Sequence, residues 1–156
     1  MPELDATLVS VLADRYSSNF AHVCELAGRL TEKQFWAKPF PYGNSFGHLV
    51  LHLTGNLRYY IGAQIAETGY IRDRAREFAE PNPPSKEEAL KRLSDAVEMV
   101  IKSIRSQSSG DWAKAYSGVG INCSNRLDTV VQCAAHMQHH IGQMTYLAYE
   151  WKRQGQ

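Results

Sequence analysis

Cysteine is scarce in this chain. Cys24, Cys123 and Cys133 are an odd number and show no Cys-x-x-Cys spacing. That argues against a disulfide framework and fits a reducing compartment. An excess of either charge is also missing: 17 Lys and Arg face 16 Asp and Glu, for a formal charge of +1. Nucleic-acid binding by electrostatics needs a broad basic surface, and this balance does not supply one. No stretch approaches the ~18 uninterrupted apolar residues of a membrane span. The N-terminal Met-Pro-Glu-Leu-Asp has no signal-peptide pattern. Internal repeats, low-complexity tracts and a convincing strand series are absent too. The expectation is one domain spanning residues 1–156, cytoplasmic, with no nucleic acid and no membrane among its partners.

What is present is helical periodicity. Leu8, Leu12, Tyr16, Phe20, Val23, Ala27 and Leu30 recur at spacings of three or four and predict a first helix over about Leu4–Leu30. Thr31-Glu-Lys-Gln34 reads as a capping box for a short extra turn, ended by Pro39 and Pro41. A second helix starts after Asn44-Ser45, carries Leu49, Leu53, Leu57, Tyr60, Ile61 and Ile65, and stops near Gly69. A polar connection, Arg72–Pro84, follows. Ser85 and Glu88 then box the start of a third helix, about Lys86–Gln107. The Ser/Gly-rich segment Ser106–Gly120 reads as loop, with short extended pieces around Trp112–Tyr116. A fourth helix runs from near Asn125 to about Arg153. The fold class is therefore all-α: a four-helix bundle with longer connections before helices three and four.

Histidine distribution points to chemistry. His136 and His140 are four apart, so both imidazoles leave one helix face, about one turn apart. A third imidazole from a facing helix would complete a three-nitrogen site with an open position, as a catalytic metal needs. His139 is rotated about 100° from His140 and could pair with His136 only if His140 were excluded. Gln143 continues the His136–His140 stripe. On the second helix, His48, His52 and Asn56 form a matching polar line. Two polar lines facing across a core are costly unless they bond one another or hold an ion. A hydrogen-bonded layer of histidine, asparagine and glutamine is the competing reading.

The segments Gly47-His-Leu-Val-Leu-His52-Leu-Thr-Gly-Asn56 and His136-Met-Gln-His-His140-Ile-Gly-Gln143, with Arg72-Asp-Arg74-x-x-Glu77-Phe78 between them, resemble the DinB-like (YfiT-like) superfamily of metal-dependent four-helix bundles. The match looks like an uncharacterised bacterial branch and spans about Ser45–Tyr149. The resemblance implies that His52, His136 and His140 bind a divalent transition metal, with zinc or nickel expected. Gln143 matches a glutamine that the family places after the last ligand. No role is implied for His22 or His139. Characterised members of the superfamily are similar to thiol S-transferases, which implies a small-molecule thiol and an electrophile as substrates. A metal-dependent hydrolase, or a non-catalytic dimerising bundle, is the alternative. A homodimer is also expected of such a bundle.

Around such a site His48 is a candidate pocket or supporting residue, and Asn56 and Gln143 are candidate partners of the ligands or the substrate. Arg72, Arg74 and Glu77 read either as a clamp for a thiol's carboxylates or as a salt-bridged loop closing the bundle end. Cys133, one turn before His136, reads as a small core residue. Tyr16, Tyr59, Tyr60 and Tyr146 at helical spacing also read as core. No glutamate stands beside the triad as a general base, which counts against hydrolysis. Because the imidazoles must be neutral to ligate, metal binding is expected to weaken as pH falls toward ~6.5.

Overall fold

The computed structural model of the chain describes residues 2–155. Four long helices dominate: α1 (Pro2–Ala27), α3 (Phe46–Leu57), α5 (Lys86–Ser106) and α7 (Arg126–Gln154). Three short ones sit in the connections, namely α2 (Glu32–Trp36), α4 (Arg74–Ala79) and α6 (Ser109–Trp112). Helix α1 packs on α5 and α7, and α3 packs on the same two. The four therefore surround one core in the order α1, α5, α3, α7. No strand forms among the described residues; Ala115 and Asn125 make an isolated bridge.

Side-chain caps start most of these helices where expected. Thr31, Ser45, Ser85 and Asn125 each accept a backbone N–H of the following turn. Such a cap stabilises a helix start by ~1 kcal/mol. Helix α5 shows the ordinary two-faced pattern. Leu93, Ala96, Val97, Val100 and Ile104 are buried, while Lys91–Asp95 and Arg92–Glu88 ion pairs lie outside.

Helix α3 is different, for it has almost no wet face: ten of its residues, Phe46 through Leu57 without His48 and Leu51, are buried. It is enclosed by α2, α4, α5 and α7. A helix covered on nearly all sides must carry apolar residues all round, and any polar group on it must find a partner inside. Truncating one of its large core residues, such as Leu53 (0 % exposed), would cost ~2–5 kcal/mol.

Three local expectations are corrected. The second helix does not continue regularly to Gly69: after Leu57 it widens into a π-helical turn, Arg58–Ala63. The carbonyl of Tyr60 in that turn accepts the Tyr116 hydroxyl at 3.0 Å. The Arg72–Pro84 connection is not irregular throughout, because Asp73 caps α4 within it. The Ser/Gly-rich segment contains α6, begun by a Ser108–Asp111 capping box, in place of an extended piece at Trp112. Capping side chains outweighed the loop-like composition in both connections.

Candidate metal centre

His52 from α3 meets His136 and His140 from α7. The Nε2 atom of His136 lies 3.2 Å from that of His52 and 3.1 Å from that of His140. One ligand-type atom from each ring lies within 4.8 Å of the other two. His52 and His140 are buried, at 4 % and 9 % exposure, and His136 is half-buried. Nitrogens held at 2.0–2.1 Å from a tetrahedral zinc ion lie ~3.3 Å apart, so this spacing suits a first-row divalent ion.

Neighbouring groups determine which nitrogens face inward. Glu77 Oε2 lies 2.8 Å from His52 Nδ1. A carboxylate only accepts, so His52 donates from Nδ1, and the neutral ring that a metal binds would present its Nε2 lone pair to the cluster. At the other side, Gln143 Oε1 accepts from His140 Nδ1 at 2.7 Å, leaving a lone pair on His140 Nε2 as well. His136 Nδ1 is buried without a partner. With protein atoms alone the group is frustrated. If His136 carries its proton on Nε2, it satisfies one neighbour and leaves its own Nδ1 bare. If the proton is on Nδ1, three lone pairs face each other. An unmet buried group costs ~1–3 kcal/mol. A divalent cation bound by the three lone pairs removes their mutual repulsion and settles the His136 proton on Nδ1, so the converging nitrogens fit the metal that the resemblance implies.

Burial and the neighbouring rings favour the neutral form of His136 and His140. The His136 pKa is pushed down to about 3, first by burial and then by the charge His140, His52 and His139 would carry. Burial also lowers His140, against the opposing hydrogen bond to Gln143. Proton competition at these two rings is thereby displaced below the ordinary histidine range near ~6.5.

Glu77 belongs to this site, but behind His52 and not as a free general base beside the triad. Its carboxylate is 6 % exposed and is gripped by Arg72: Nε to Oε1 at 2.7 Å and Nη2 to Oε2 at 2.9 Å. Both oxygens are thus occupied, and the carboxylate bonds the outer nitrogen of His52, away from the converging lone pairs. It orients the ring and raises its donor strength, as carboxylates behind metal-bound histidines do. Glycine at position 55 makes room for it, since a Cβ there would stand 2.0 Å from Glu77 Oε1. The sequence held one signal of this. A glycine inside a buried helix costs ~1 kcal/mol relative to alanine unless something approaches closely, and Gly55 is three residues after His52.

The remaining candidates are sorted by geometry. Gln143 reaches the cluster. Asn56 is buried next to it in sequence pattern, but its Oδ1 has no hydrogen-bond partner. His48 is not in the three-imidazole group: its Nδ1 is 2.6 Å from Ser45 Oγ and its ring packs edge-on against Trp36. His139 is exposed and contacts Gln143 Nε2 at 3.3 Å. His22 is exposed on α1. Cys133 is a core residue whose thiol burial pushes up to about 12, although it also lines the cavity described next. Tyr16 is core, with its hydroxyl on the Val130 carbonyl at 2.7 Å, while Tyr146 is exposed.

A cavity of about 410 Å3 opens on the His52 and His136 edge of the cluster, lined also by Tyr60, Arg72, Arg74, Gln132 and Cys133. A more apolar one of about 360 Å3, with Phe40, Tyr42 and Leu49 in its wall, touches the site only through Gln143. The model for the DinB superfamily matches residues 18–144, which include both histidine segments and Glu77.

The chain belongs to the DinB superfamily.

Its bundle also superposes on a solved structure described as a conserved protein from Enterococcus faecalis. The TM-score is 0.72 at 15 % identity, covering 90 % of this chain and 95 % of that one. At this identity the likeness speaks for the fold alone. No curated protein matches the chain. This DinB-superfamily bundle thus carries, at the α3–α7 seam, a three-histidine group with the geometry to hold a metal ion. No helix among its described residues is long and apolar enough to cross a membrane.

Proposed function

We propose that this protein is a metal-dependent transferase that joins a low-molecular-weight thiol to a small electrophile, with His52, His136 and His140 holding a divalent transition ion. The observation that carries the reading is the convergence of three imidazole nitrogens, two with lone pairs directed inward by Glu77 and Gln143, at the edge of a small-molecule-sized cavity. A divalent ion bound there by neutral ligands would keep its full 2+ charge and acidify a thiol beside it.

The chain's own residues supply the rest. Glu77 and Arg72 keep His52 in one tautomer and one orientation. Burial keeps His136 and His140 deprotonated at neutral pH. The aromatic ring of Phe78, 4.7 Å from the His52 ring, covers that imidazole. Hydrolysis is less well served. A general base must reach a water at the reacting centre, and both Glu77 oxygens are already engaged behind His52. His48, the other candidate base, is tied to Ser45.

Elemental analysis of untagged protein beside His52→Ala and His136→Ala tests the metal. About one equivalent in the parent and almost none in the variants is expected. The transferase reading is then tested with 1-chloro-2,4-dinitrobenzene and a panel of small thiols, following thioether formation. A metal-loaded parent that gives no thiol-dependent product with any member of the panel removes the transferase reading; a parent that takes up neither zinc nor nickel at neutral pH removes the metal as well.

A further inference from the structure

The cavity beside the histidine group is unevenly charged. Two arginines, Arg72 and Arg74, line its wall, and no Asp or Glu does. Arg72 is neutralised behind that wall by Glu77. Arg74 forms no ion pair among the described residues. Its guanidinium lies over the Phe78 ring at 5.7 Å, and Phe78 in turn lies against His52. A cation positioned by an aromatic face has lost little hydration and keeps its N–H fork free for a planar anion. Gln132, exposed on α7, adds an uncharged amide to the same wall.

From this we infer that the cavity takes a small molecule bearing a carboxylate, bound by Arg74 while the molecule's other end faces the His52–His136 edge. The inference rests on the proposed small-molecule chemistry at that edge and names the class of compound that enters. A carboxylate group, carrying one charge, suits the wall better than a doubly charged phosphate group. The backbone start of α4, where a phosphate would look for N–H groups, is already capped by the Asp73 carboxylate, which accepts from Arg76 N–H. The Asp73 charge next to Arg74 would repel a doubly charged phosphate group more strongly than a single carboxylate group.

The test uses two pairs of probes on the protein as purified, each pair differing in charge. Succinate and succinamide lack a thiol; 3-mercaptopropionate and 2-mercaptoethanol carry one. Binding is followed by calorimetry and by the Nε–Hε resonances of the arginine side chains. Succinate should shift the Arg74 resonance saturably, and succinamide should not. Arg74→Gln should weaken succinate by about ten-fold, the loss of one charge-assisted fork, and Arg74→Lys should weaken it less. Gln132→Glu, which places a negative charge on the part of the wall that α7 supplies, should also weaken it. Arg74 is exposed, so these variants should fold. Succinate binding unchanged in Arg74→Gln would put the carboxylate elsewhere, for instance on the histidine group, and overturn the inference. Equal binding of succinamide would also overturn it. The thiol reading fails separately. If succinate depends on Arg74 while neither mercaptan forms product, the anion site stands and the transferase does not. If both mercaptans react equally well with and without Arg74, the transferase stands and the anion site does not.

Discussion

His52 and His140 point at the same spot, but the protein holds them by different means. His52 sits on the enclosed helix α3, with an ionised carboxylate behind its Nδ1 and an arginine behind that carboxylate, all below a tenth exposed. His140 sits on α7, and behind its Nδ1 is the neutral amide of the exposed Gln143. A buried carboxylate accepts a stronger hydrogen bond than an amide and feels little solvent screening. One side of the cluster is therefore built in and the other adjustable. Its adjustable side also borders the second, more apolar cavity.

The sharpest way to break this contrast is Glu77→Ala. It strips His52 of its partner and leaves Arg72, whose side chain is 8 % exposed, as a buried unpaired cation. We expect zinc affinity to fall 10–100-fold and stability to fall by ~3–5 kcal/mol, read by competition titration and urea unfolding. Gly55→Ala asks the same question with less damage to charge. A methyl 2.0 Å from Glu77 Oε1 must displace the carboxylate, so metal affinity should drop about ten-fold while helical content stays.

Gln143→Ala should cost less, at most several-fold, because water can replace an exposed amide. Gln143→Glu sharpens the comparison further: it gives His140 an anionic acceptor like the one behind His52, and zinc binding should tighten. A drop in affinity for that variant would show that the two sides are not interchangeable.

Acid gives a different handle. His136 and His140 have folded pKa values below the unfolded ~6.5. Between that value and about 3 for His136, the unfolded chain binds more protons than the folded one. Metal-free protein should therefore lose stability steadily as pH falls through this window, and none of this loss should occur above it. Urea midpoints at pH 7 and pH 5 measure the slope, which should shrink in His136→Ala. The smallest effect is expected of His48→Ala: metal content should be unchanged, since that ring bonds Ser45 and not the cluster.

Much of the fold was legible in the residues because its signals are local. Periodicity marked α1, α5 and α7 to within a few positions, and serine and asparagine caps marked the starts of α3, α5 and α7. The i, i+4 spacing of His136 and His140 is likewise a property of one helix. The π-helical turn after Leu57 had no comparable local signal, and α4 and α6 were masked by polar, loop-like composition. His48 and His52 show the limit of pattern reading. They lie on one polar line, four residues apart, yet one ends in the cluster and the other under Trp36. Periodicity reports a face, and α3 is buried on nearly every face, so it cannot say which neighbour each histidine meets.

The sequence by itself determined that this is a helical bundle and that two α7 histidines share a face; resemblance to a family, beyond the residues' own geometry, singled out His52 as the third. Tertiary structure alone decided that Glu77, from a charged connection 25 residues after His52, completes the site. Its role depends on α4 folding back over Gly55 and on Arg72 offsetting the cost of burying its charge. Helix formation is settled between residues three and four apart, whereas burying a carboxylate requires partners brought together by packing.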